Sequence, residues 1–317
     1  MATREKVRFA SGGTECAALH YRGTNGGCVI MAGGAAVTKE PGTDLFARRF
    51  HDAGFSVLAF DHRHFGESGG QPRQVIRIGE QLDDWQAAIG FAASLPGVDP
   101  TRIAVWGFSL AGGHAFRLAA AHPELAAVVA QTPLADGRAV APNALRHMTP
   151  LALLRLTAMG VADAAGRLLR RPPLLVPLAG EPGSVATLTT PDALDGAHAL
   201  SPGNKYPDWQ QAVAASWVLR AGFYRPGRYA SRVRCPLLVV ACEQDQTVLA
   251  GPAVAAAGRA PRGELVRLPG GHYAPFLGGH EQAVAAELSF LRRHLLDHPR
   301  TGHPAPAGSA SHREGRA

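Results

Sequence analysis

Ser109 has the sequence surroundings of a nucleophilic serine. It is the centre of the pentapeptide GFSLA, which follows a short apolar run and precedes two further glycines and a helix-like segment. A serine hydroxyl attacks a carbonyl only when a base takes its proton and N–H groups stabilise the negative charge that forms. A strained turn from strand to helix would present the hydroxyl to both, and only small residues fit at Gly107 and Ala111 beside it. The pattern predicts acyl chemistry at Ser109.

A base for Ser109 is expected at His272. This histidine follows a strand-like run and a flexible Gly-Gly pair, so its loop can bring the imidazole over the serine. The base needs a carboxylate to orient it, and in doubly wound hydrolase sheets the three residues follow one another as serine, acid and histidine. Asp245, in the loop after another apolar run, is the acid that we predict.

Two other carboxylates could take the place of Asp245. Glu243 lies two residues earlier, nearer to the end of the strand, and Asp136 follows the strand-like run at 126–130. We favour Asp245 because it lies further into the loop and because Val248, three residues later, can pack the end of that loop.

The oxyanion formed during acyl transfer requires at least two N–H donors. One is expected from the backbone of Leu110, the first residue after the serine. Another is expected from the GGAA loop that follows the apolar run at 28–32, because glycines let the backbone turn an N–H toward the pocket. We predict Gly34 as this donor, with Ala35 as the next choice.

Alternating strands and helices must position these residues. Helical periodicity recurs at 78–92 and 284–295, where apolar residues are spaced alternately four and three apart. Around these helices lie apolar runs with strand character, several of them continuous, as in a parallel strand covered on both faces. These runs are 7–9, 16–21, 28–32, 56–60, 103–106, 126–130, 237–241 and 264–268, the first two forming an opening hairpin. The predicted fold class is α/β, with a mainly parallel, doubly wound sheet.

The alternation is interrupted between about residues 135 and 231. This region has leucine-rich helical stretches at 151–159 and 164–169 and proline-rich turns. It follows a sheet strand directly, at the edge where ligands bind in such sheets, so we predict a helical cap over the site. The predicted domains are a first core part at 1–134, the cap insertion at 135–230, a second core part at 231–296 and a disordered tail at 297–317.

Composition argues against several other function classes. The net charge is +7, from 32 basic and 25 acidic residues, but the arginines are dispersed and only 7% of residues are aromatic, so no nucleic-acid partner is expected. No apolar run is long enough for a membrane span, and the N-terminal residues lack the apolar core of an export signal. The four cysteines show no C-x-x-C spacing and fit buried free thiols in a cytoplasmic protein. Neither a P-loop nor a dinucleotide fingerprint is present, so no cofactor is expected.

A second motif lies after the strand-like run at 56–60. The segment DHRHFGES resembles the D-x-R-G-x-G-x-S ending of the fourth strand in α/β hydrolases. Asp61, Gly66 and Ser68 match that pattern together with the arginine between them, whereas His64 occupies the position of the usual first glycine. In the family this segment is structural and fixes the loop beside the nucleophile.

The chain is therefore identified by resemblance as a member of the α/β-hydrolase superfamily over about residues 7–296. It is most similar to a bacterial branch of peptidase S15-like and dienelactone-hydrolase-like serine hydrolases. The resemblance implies that Ser109, Asp245 and His272 form the catalytic triad. Two departures from the family pattern are Ala32-Gly33, where many members have His-Gly, and an alanine two residues after the serine, in place of the common glycine.

The same segment contains residue types that can bind a metal. Asp61, His62 and His64 form a D-H-x-H cluster, and a His-x-His pair can ligate zinc. An arginine lies between the two histidines and disfavours a cation, and the sequence supplies no further spaced partner motif. We therefore expect no metal site.

These observations predict a serine hydrolase that cleaves an ester or thioester through an acyl-enzyme. The leucines of the predicted cap suggest a small-molecule acyl substrate with an apolar group. Cleavage of amide or peptide bonds is a less favoured use of the same residues. The sequence leaves open two alternatives: an acyltransferase or cyclase on the same fold, in which another nucleophile outcompetes water, and a catalytically silent ligand-binding homologue.

Overall fold

The computed structural model describes residues 4–297, and its centre is an eight-stranded sheet. The predicted tail lies outside the described residues from position 298 onward. The strands are β1 Arg4–Ser11, β2 Thr14–Tyr21, β3 Cys28–Ala32, β4 Ser56–Phe60, β5 Ile103–Phe108, β6 Ala127–Gln131, β7 Leu175–Pro177, β8 Ala212–Ala214, β9 Leu237–Cys242 and β10 Gly263–Leu268. Strands β7 and β8 form a separate antiparallel pair.

The main sheet has the order β1-β2-β4-β3-β5-β6-β9-β10. Strand β2 pairs antiparallel with β1 and β4, and the remaining pairs are parallel. All eight strands predicted from the sequence are confirmed, as are the opening hairpin and the α/β fold class. Every residue of β3, β4, β5 and β6 is buried, which explains why these strands are continuous apolar runs.

Helices cover both faces of this sheet. They are α1 Thr43–Asp52, α2 Ile78–Ala93, α3 Leu110–Ala121, α4 Gly137–Arg146, α5 Pro150–Leu168, α6 Asp195–Leu200, α7 Val218–Ala221, α8 Ala250–Arg259 and α9 His280–Leu295. The helices predicted at 78–92 and 284–295 are confirmed as α2 and α9. Along β3, Val29 and Met31 pack in the core cluster that includes α1 and α9, whereas Cys28 and Ile30 pack in the one that includes α2, α3 and α8.

The segment between β6 and β9 has a different organisation. It contains α4 to α7 and the small β7-β8 pair. The two leucine-rich stretches form one continuous helix, α5, which begins at Pro150 after Thr149, whose hydroxyl accepts a hydrogen bond from the N–H of Ala152 at 3.1 Å. The role of this segment as a cap and its exact domain boundaries stay predictions.

The cysteines Cys16, Cys28, Cys235 and Cys242 are all buried and unpaired, as predicted. Burial raises the pKa of the Cys235 thiol to about 11 and that of Cys28 to about 12. These thiols are therefore protonated and unreactive near neutral pH. Between residues 4 and 297, no helix combines the length and the apolar character that a membrane crossing requires.

Glu287 of α9 is buried against the sheet and should make stability depend on pH. Burial raises the pKa of Glu287 to about 8, and the hydrogen bond from Trp106 Nε1 to its Oε2, at 3.0 Å, only partly opposes that rise. The folded protein therefore binds this proton more tightly than the unfolded chain does. The contribution of this bound proton to the free energy of unfolding is complete below the ordinary carboxyl pKa of 4.5. It is lost as pH rises toward about 8, by at most about 1.4 kcal/mol per pH unit.

We expect Glu287→Gln to remove this loss, so that the variant is more stable than the wild type at pH 8 and similar to it below pH 4.5. Urea unfolding across that range measures the difference. Glu281→Gln, on the same helix but exposed and paired with Arg49, is the control; it should leave the loss between pH 4.5 and 8 unchanged, because the Arg49 contact lowers the pKa of Glu281 and that group titrates only at lower pH. Parallel curves for Glu287→Gln and the wild type would contradict the prediction.

Candidate active site

Ser109 lies between the end of β5 and the start of α3 in a strained conformation. Its φ of 56° and ψ of −113° are unfavourable for an L-residue. Neighbouring backbone holds it there: the Ser109 N–H donates to the carbonyl of Gln131 on β6, at 3.0 Å, and its own carbonyl accepts from the N–H groups of Gly113 and Leu134, each at 2.9 Å. The turn is therefore fixed from both sides, and the side chain leaves the sheet at the carboxyl end of β5.

The glycine two residues before the serine is required by close backbone approach. A Cβ added to Gly107 would lie 2.3 Å from the carbonyl oxygen of Ala111. Ala111 itself is buried. The steric prediction made from the sequence is confirmed at Gly107, and it explains why the turn can be so tight.

The structure brings His272 and Asp245 to Ser109. The Nε2 atom of His272 is 3.0 Å from Ser109 Oγ, and its Nδ1 atom is 2.8 Å from Asp245 Oδ2. The other carboxylate oxygen of Asp245 accepts the N–H of Val248 at 2.8 Å, and the ring of Phe108 packs against the imidazole with centroids 5.1 Å apart. Because a carboxylate only accepts, Nδ1 carries the ring proton and leaves Nε2 free to accept one from the serine.

The two alternative acids lie elsewhere. Glu243 is exposed at the surface. Asp136 is bound by the Arg225 guanidinium at 2.9 to 3.1 Å and accepts the N–H of Arg138, which caps α4. Of the three carboxylates considered from the sequence, Asp245 is therefore the one that contacts His272.

The residues predicted as oxyanion donors lie beside the serine. A Cβ added to Gly34 would be 2.9 Å from Ser109 Cβ, so the glycine permits this approach. Ala35 and Leu110 line the same cavity as Ser109. Leu110 is the first residue of α3, where the helix leaves N–H groups unpaired.

The loop that contains Gly34 and Ala35 is tied to the segment between β6 and β9. Ala36 adopts a positive φ of 53°, and its carbonyl accepts a hydrogen bond from Trp209 Nε1 at 2.8 Å. The N–H of Val37 closes the turn onto the Gly34 carbonyl at 3.2 Å. Trp209 therefore fixes the loop from the predicted cap, a contact between residues 173 positions apart that no local sequence pattern indicates.

A mainly apolar cavity of about 240 Å³ opens at Ser109. Most of its lining comes from the segment between β6 and β9, which includes α4, α5 and α7. The apolar side chains around it include Leu134, Val140, Leu145, Met148, Leu153, Leu156, Trp217, Val218, Leu219 and Val248. Five threonines, Thr157, Thr187, Thr189, Thr190 and Thr247, add hydroxyl groups to the wall. The space can accept an apolar group next to the serine hydroxyl.

Comparison with known proteins gives the family. The profile of a family described as "Serine aminopeptidase, S33" matches residues 25–189, which are 165 of the 317 residues and include Ser109. The chain belongs to the S33 family of α/β hydrolases. The resemblance to the α/β-hydrolase superfamily is thus confirmed, whereas the finer placement in a peptidase S15-like or dienelactone-hydrolase-like branch stays a prediction.

The relatives of this chain are named for several different activities. The chain is 37% identical over 292 residues to the quorum-quenching protein AidA of Acinetobacter baumannii, covering 90% of this chain and 94% of that protein. It is 35% identical over 118 residues to thiohydrolase aneE of Aspergillus aculeatus, covering 37% of each chain. It is 32% identical over 183 residues to polyketide transferase ATR5 of Stachybotrys chlorohalonatus, covering 57% of this chain and 59% of that protein.

Among solved structures, DcsB in complex with its substrate analogue has a TM-score of 0.78 to this chain. The two are 21% identical, and the match covers 92% of this S33-family chain and 100% of DcsB. At this identity the likeness shows the shared fold.

Sequence reasoning missed one carboxylate, Asp192, which joins the loops that carry His272 and Asp245. Its Oδ2 atom accepts the N–H groups of Gln246 at 2.8 Å, of His272 at 3.2 Å and of Thr247 at 3.3 Å. Its Oδ1 atom accepts the Thr247 hydroxyl at 2.9 Å. These partners lie 54 to 80 residues later in the chain, so no local spacing signals the contact.

Burial by itself raises the pKa of the Asp192 carboxyl, but these donors outweigh it and hold the pKa below its usual range. The depressed pKa means that the stabilisation is present above the ordinary carboxyl pKa and is lost only as pH falls through the lowered value. Asp192 therefore stays charged, and keeps both loops in place, down to acidic pH.

Replacing Asp192 by alanine should lower kcat by about 10²-fold, because several buried N–H groups lose their acceptor and the imidazole shifts from the serine. KM should change less, since most of the cavity wall lies on residues that Asp192 does not contact. Steady-state kinetics measures both. Asp195→Ala, three residues away and exposed, is the control; a variant at Asp192 with unchanged kcat would contradict the positioning role.

The segment around Asp61 is held by hydrogen bonds within itself and to Lys39 and Asp84. Asp61 accepts from the Lys39 N–H at 2.6 Å, the Lys39 ammonium at 2.9 Å and the Glu67 N–H at 2.9 Å. Arg63 donates through Nε to Asp84 at 2.7 Å, and the Ser68 hydroxyl donates to the Asp61 carbonyl at 2.6 Å. The motif thus fixes its own loop, as the family resemblance implies.

The two histidines of the D-H-x-H cluster contact different carboxylates. His62 Nδ1 is 3.4 Å from Asp84, and His64 Nε2 is 2.6 Å from Glu80. In the part of the chain that the structure describes, no three His, Cys, Asp or Glu side chains gather where they could share a metal ion.

Proposed function

We propose that this protein is a serine hydrolase that cleaves an ester or thioester of a small acyl substrate. The observation that carries the proposal is the continuous contact from Ser109 Oγ through His272 to Asp245, at 3.0 and 2.8 Å. A hydroxyl in this contact can lose its proton to the imidazole at the moment when it attacks a carbonyl carbon. The strained backbone of Ser109, which aims that hydroxyl out of the sheet, supports the same role.

The reaction would proceed through an acyl-enzyme. Ser109 Oγ forms a bond to the carbonyl carbon while its proton moves to His272 Nε2, and Asp245 stabilises the resulting imidazolium. The tetrahedral intermediate then expels the alcohol or thiol, which takes the proton from Nε2. A water molecule next attacks the acyl-enzyme, giving its proton to the same nitrogen, and release of the acid restores the Ser109 hydroxyl.

The negative oxygen of the tetrahedral intermediate needs donors on the side of the serine that faces Gly34. We assign the N–H groups of Gly34 and Leu110 to it, with Ala35 as the alternative in the same loop. Each such donor is worth about 3 to 4 kcal/mol of transition-state stabilisation. The Trp209 contact to the next carbonyl supports this role, because it limits how far the loop can move.

The apolar cavity favours an acyl chain or other apolar group as the part of the substrate beside the serine. A relative named as a thiohydrolase supports thioesters as one substrate class. The finer assignment to a peptidase S15-like or dienelactone-hydrolase-like branch rests on motifs alone. The four buried, unpaired thiols favour a reducing compartment, and we propose the cytoplasm as the location.

Acyl transfer is a second candidate function. It is favoured by the relative named as a polyketide transferase, which matches 57% of this chain. The acyl-enzyme would be the same, but an alcohol or amine in place of water would attack it. The apolar lining near Ser109 is compatible with this outcome, because it limits the access of water to the acyl group.

A substrate series tests the proposed function. We expect turnover of p-nitrophenyl esters and of N-acetylcysteamine thioesters from acetyl to dodecanoyl, with kcat/KM rising with chain length until the cavity is filled. Mass spectrometry of the products, with and without added alcohols, separates hydrolysis from transfer. Absence of turnover across both series, in protein shown to be folded, would contradict the proposal and would favour a silent ligand-binding protein.

A further inference from the structure

A second cavity, of about 700 Å³, lies away from Ser109 and is lined by positive charge. Twelve residues surround it, of which five are arginines, three are glutamines and none is acidic. The arginines are Arg73, Arg77, Arg167, Arg170 and Arg171. They come from two places: the loop before α2 and the carboxyl end of α5.

The loop side of this arginine cavity is rigid. Arg73 donates to the backbone carbonyls of Ser68 and Gly66. Gln74 donates from its Nε2 to the carbonyls of Gln210 and Ala212, at 3.0 and 2.7 Å. These contacts join the core loop to the segment between β6 and β9, so one wall of the cavity is held in a single arrangement.

The other side of the arginine cavity, at the carboxyl end of α5, has no acidic side chain among its described lining residues to balance its positive charge. On the loop side, Arg77 is paired with Glu80 at 2.8 Å. On the α5 side, Arg167, Arg170 and Arg171 have neither an ion pair nor a side-chain hydrogen bond to any residue between 4 and 297. The partial negative charge at the end of α5 amounts to only about half an elementary charge, so it cannot offset three guanidinium groups. The end of α5 therefore presents three positive charges to the cavity without a counter-charge from the described part of the protein.

One of these arginines, Arg170, lies at a strained backbone position. The end of α5 is a Schellman motif, in which the Arg171 N–H donates to the carbonyl of Gly166 and the Arg170 N–H donates to that of Arg167. The residue at the position of Arg170 must adopt a left-handed conformation, and its φ is 53°. Glycine is the usual residue there because it has no Cβ. An arginine at this position accepts strain and adds a third cation to the cavity wall.

We propose that the arginine cavity binds a ligand with at least two phosphate groups. Guanidinium groups match phosphate oxygens in pairs of parallel hydrogen bonds, and the glutamines can bind the neutral part of the ligand. The volume lies within the range of about 300 to 1,000 Å³ that small-molecule sites have. The helix α5 connects this site to the active site: its Leu156 lines the apolar cavity, and Arg167 lies eleven residues later, about 16 Å along the helix.

Calorimetric titration with inorganic pyrophosphate tests the site directly. We expect saturable binding of one pyrophosphate, weakened about tenfold or more for each arginine removed in the variant Arg167→Gln, Arg170→Gln, Arg171→Gln. The matched control changes three arginines of another surface group, Arg228→Gln, Arg232→Gln, Arg234→Gln, and should bind as the wild type does. Absence of saturation, or equal weakening in both triple variants, would overturn the proposal in favour of non-specific attraction to a basic protein.

The single variant Arg170→Gly distinguishes a loss of ligand binding from a loss of folding. Glycine relieves the left-handed strain, so the melting temperature should rise while pyrophosphate affinity falls about tenfold. A surface arginine without a ligand would give the first result and not the second. Unchanged affinity in this variant would therefore count against the site even if the triple variant failed to fold.

Competition experiments can distinguish two sources of the phosphate groups. This part of the test rests on the proposed function. If the ligand is the leaving group of a thioester, pyrophosphate should raise KM for decanoyl-coenzyme A and not for decanoyl-N-acetylcysteamine. If the ligand is a separate effector, both substrates should respond alike. The pyrophosphate titration needs no turnover, so failure of the proposed function leaves the test of the site intact.

Discussion

Replacement of Ser109 by alanine is expected to lower kcat for ester hydrolysis by about 10⁶-fold, without loss of the fold. The variant removes the oxygen that His272 Nε2 approaches to 3.0 Å, and with it the acyl-enzyme. The backbone hydrogen bonds to Gln131, Gly113 and Leu134 do not involve the hydroxyl, so the turn should survive. Steady-state hydrolysis of a p-nitrophenyl ester measures the loss, and circular dichroism with thermal unfolding measures the fold.

The triad residues should also act as a unit. His272→Ala should cost about as much as Ser109→Ala, and the double variant should cost no more than either alone. Ser94→Ala, at the end of α2, is the matched serine control and should keep full activity. Retention of more than about one hundredth of the wild-type kcat in folded Ser109→Ala would contradict nucleophilic attack by this serine, since the acyl-enzyme supplies far more than that.

Replacement of Asp245 by asparagine is expected to lower kcat by about 10⁴-fold with little change in KM. Asparagine keeps the size of the side chain but can present an N–H to His272 Nδ1. The imidazole then has the wrong tautomer, with its proton on the nitrogen that should accept one from the serine. The hydrogen bond of 2.8 Å between Asp245 and His272 is what makes the effect large.

The control for Asp245 is in the same loop. Glu243→Gln changes the alternative acid, which is exposed, and should leave kcat within twofold of the wild type. Asp136→Asn tests the other alternative and should affect stability through Arg225 rather than the chemistry. A large loss in Glu243→Gln together with an active Asp245→Asn would show that another carboxylate orients the histidine.

Much of the fold could be predicted from the sequence because the sheet is mainly parallel and covered by helices on both faces. Strands such as β3 and β4 are buried at every position, so they are visible as continuous apolar runs. Ser109, Asp245 and His272 could be proposed because their chemistry fixes both residue type and position, each after a strand and in a set order. The geometry places them together, and their catalytic role stays a proposal for the experiments above.

Other features depend on contacts between distant parts of the chain, which no local pattern encodes. The sequence around Asp192 is that of an ordinary turn, yet the carboxylate binds Gln246, Thr247 and His272. The arginine cavity forms only where the end of α5 meets the loop that contains Gln74. The sequence places Arg167, Arg170 and Arg171 close together, but no local pattern shows that Arg73 and Arg77 lie across the cavity from them.

Covalent labelling with a fluorophosphonate tests the central claim most directly, since only a serine activated by a base reacts rapidly with it. Peptide mass spectrometry should find one adduct for each protein molecule, on Ser109, and His272→Ala should prevent its formation. Folded wild-type protein that stays unlabelled, or that carries the adduct on another residue, would contradict the account.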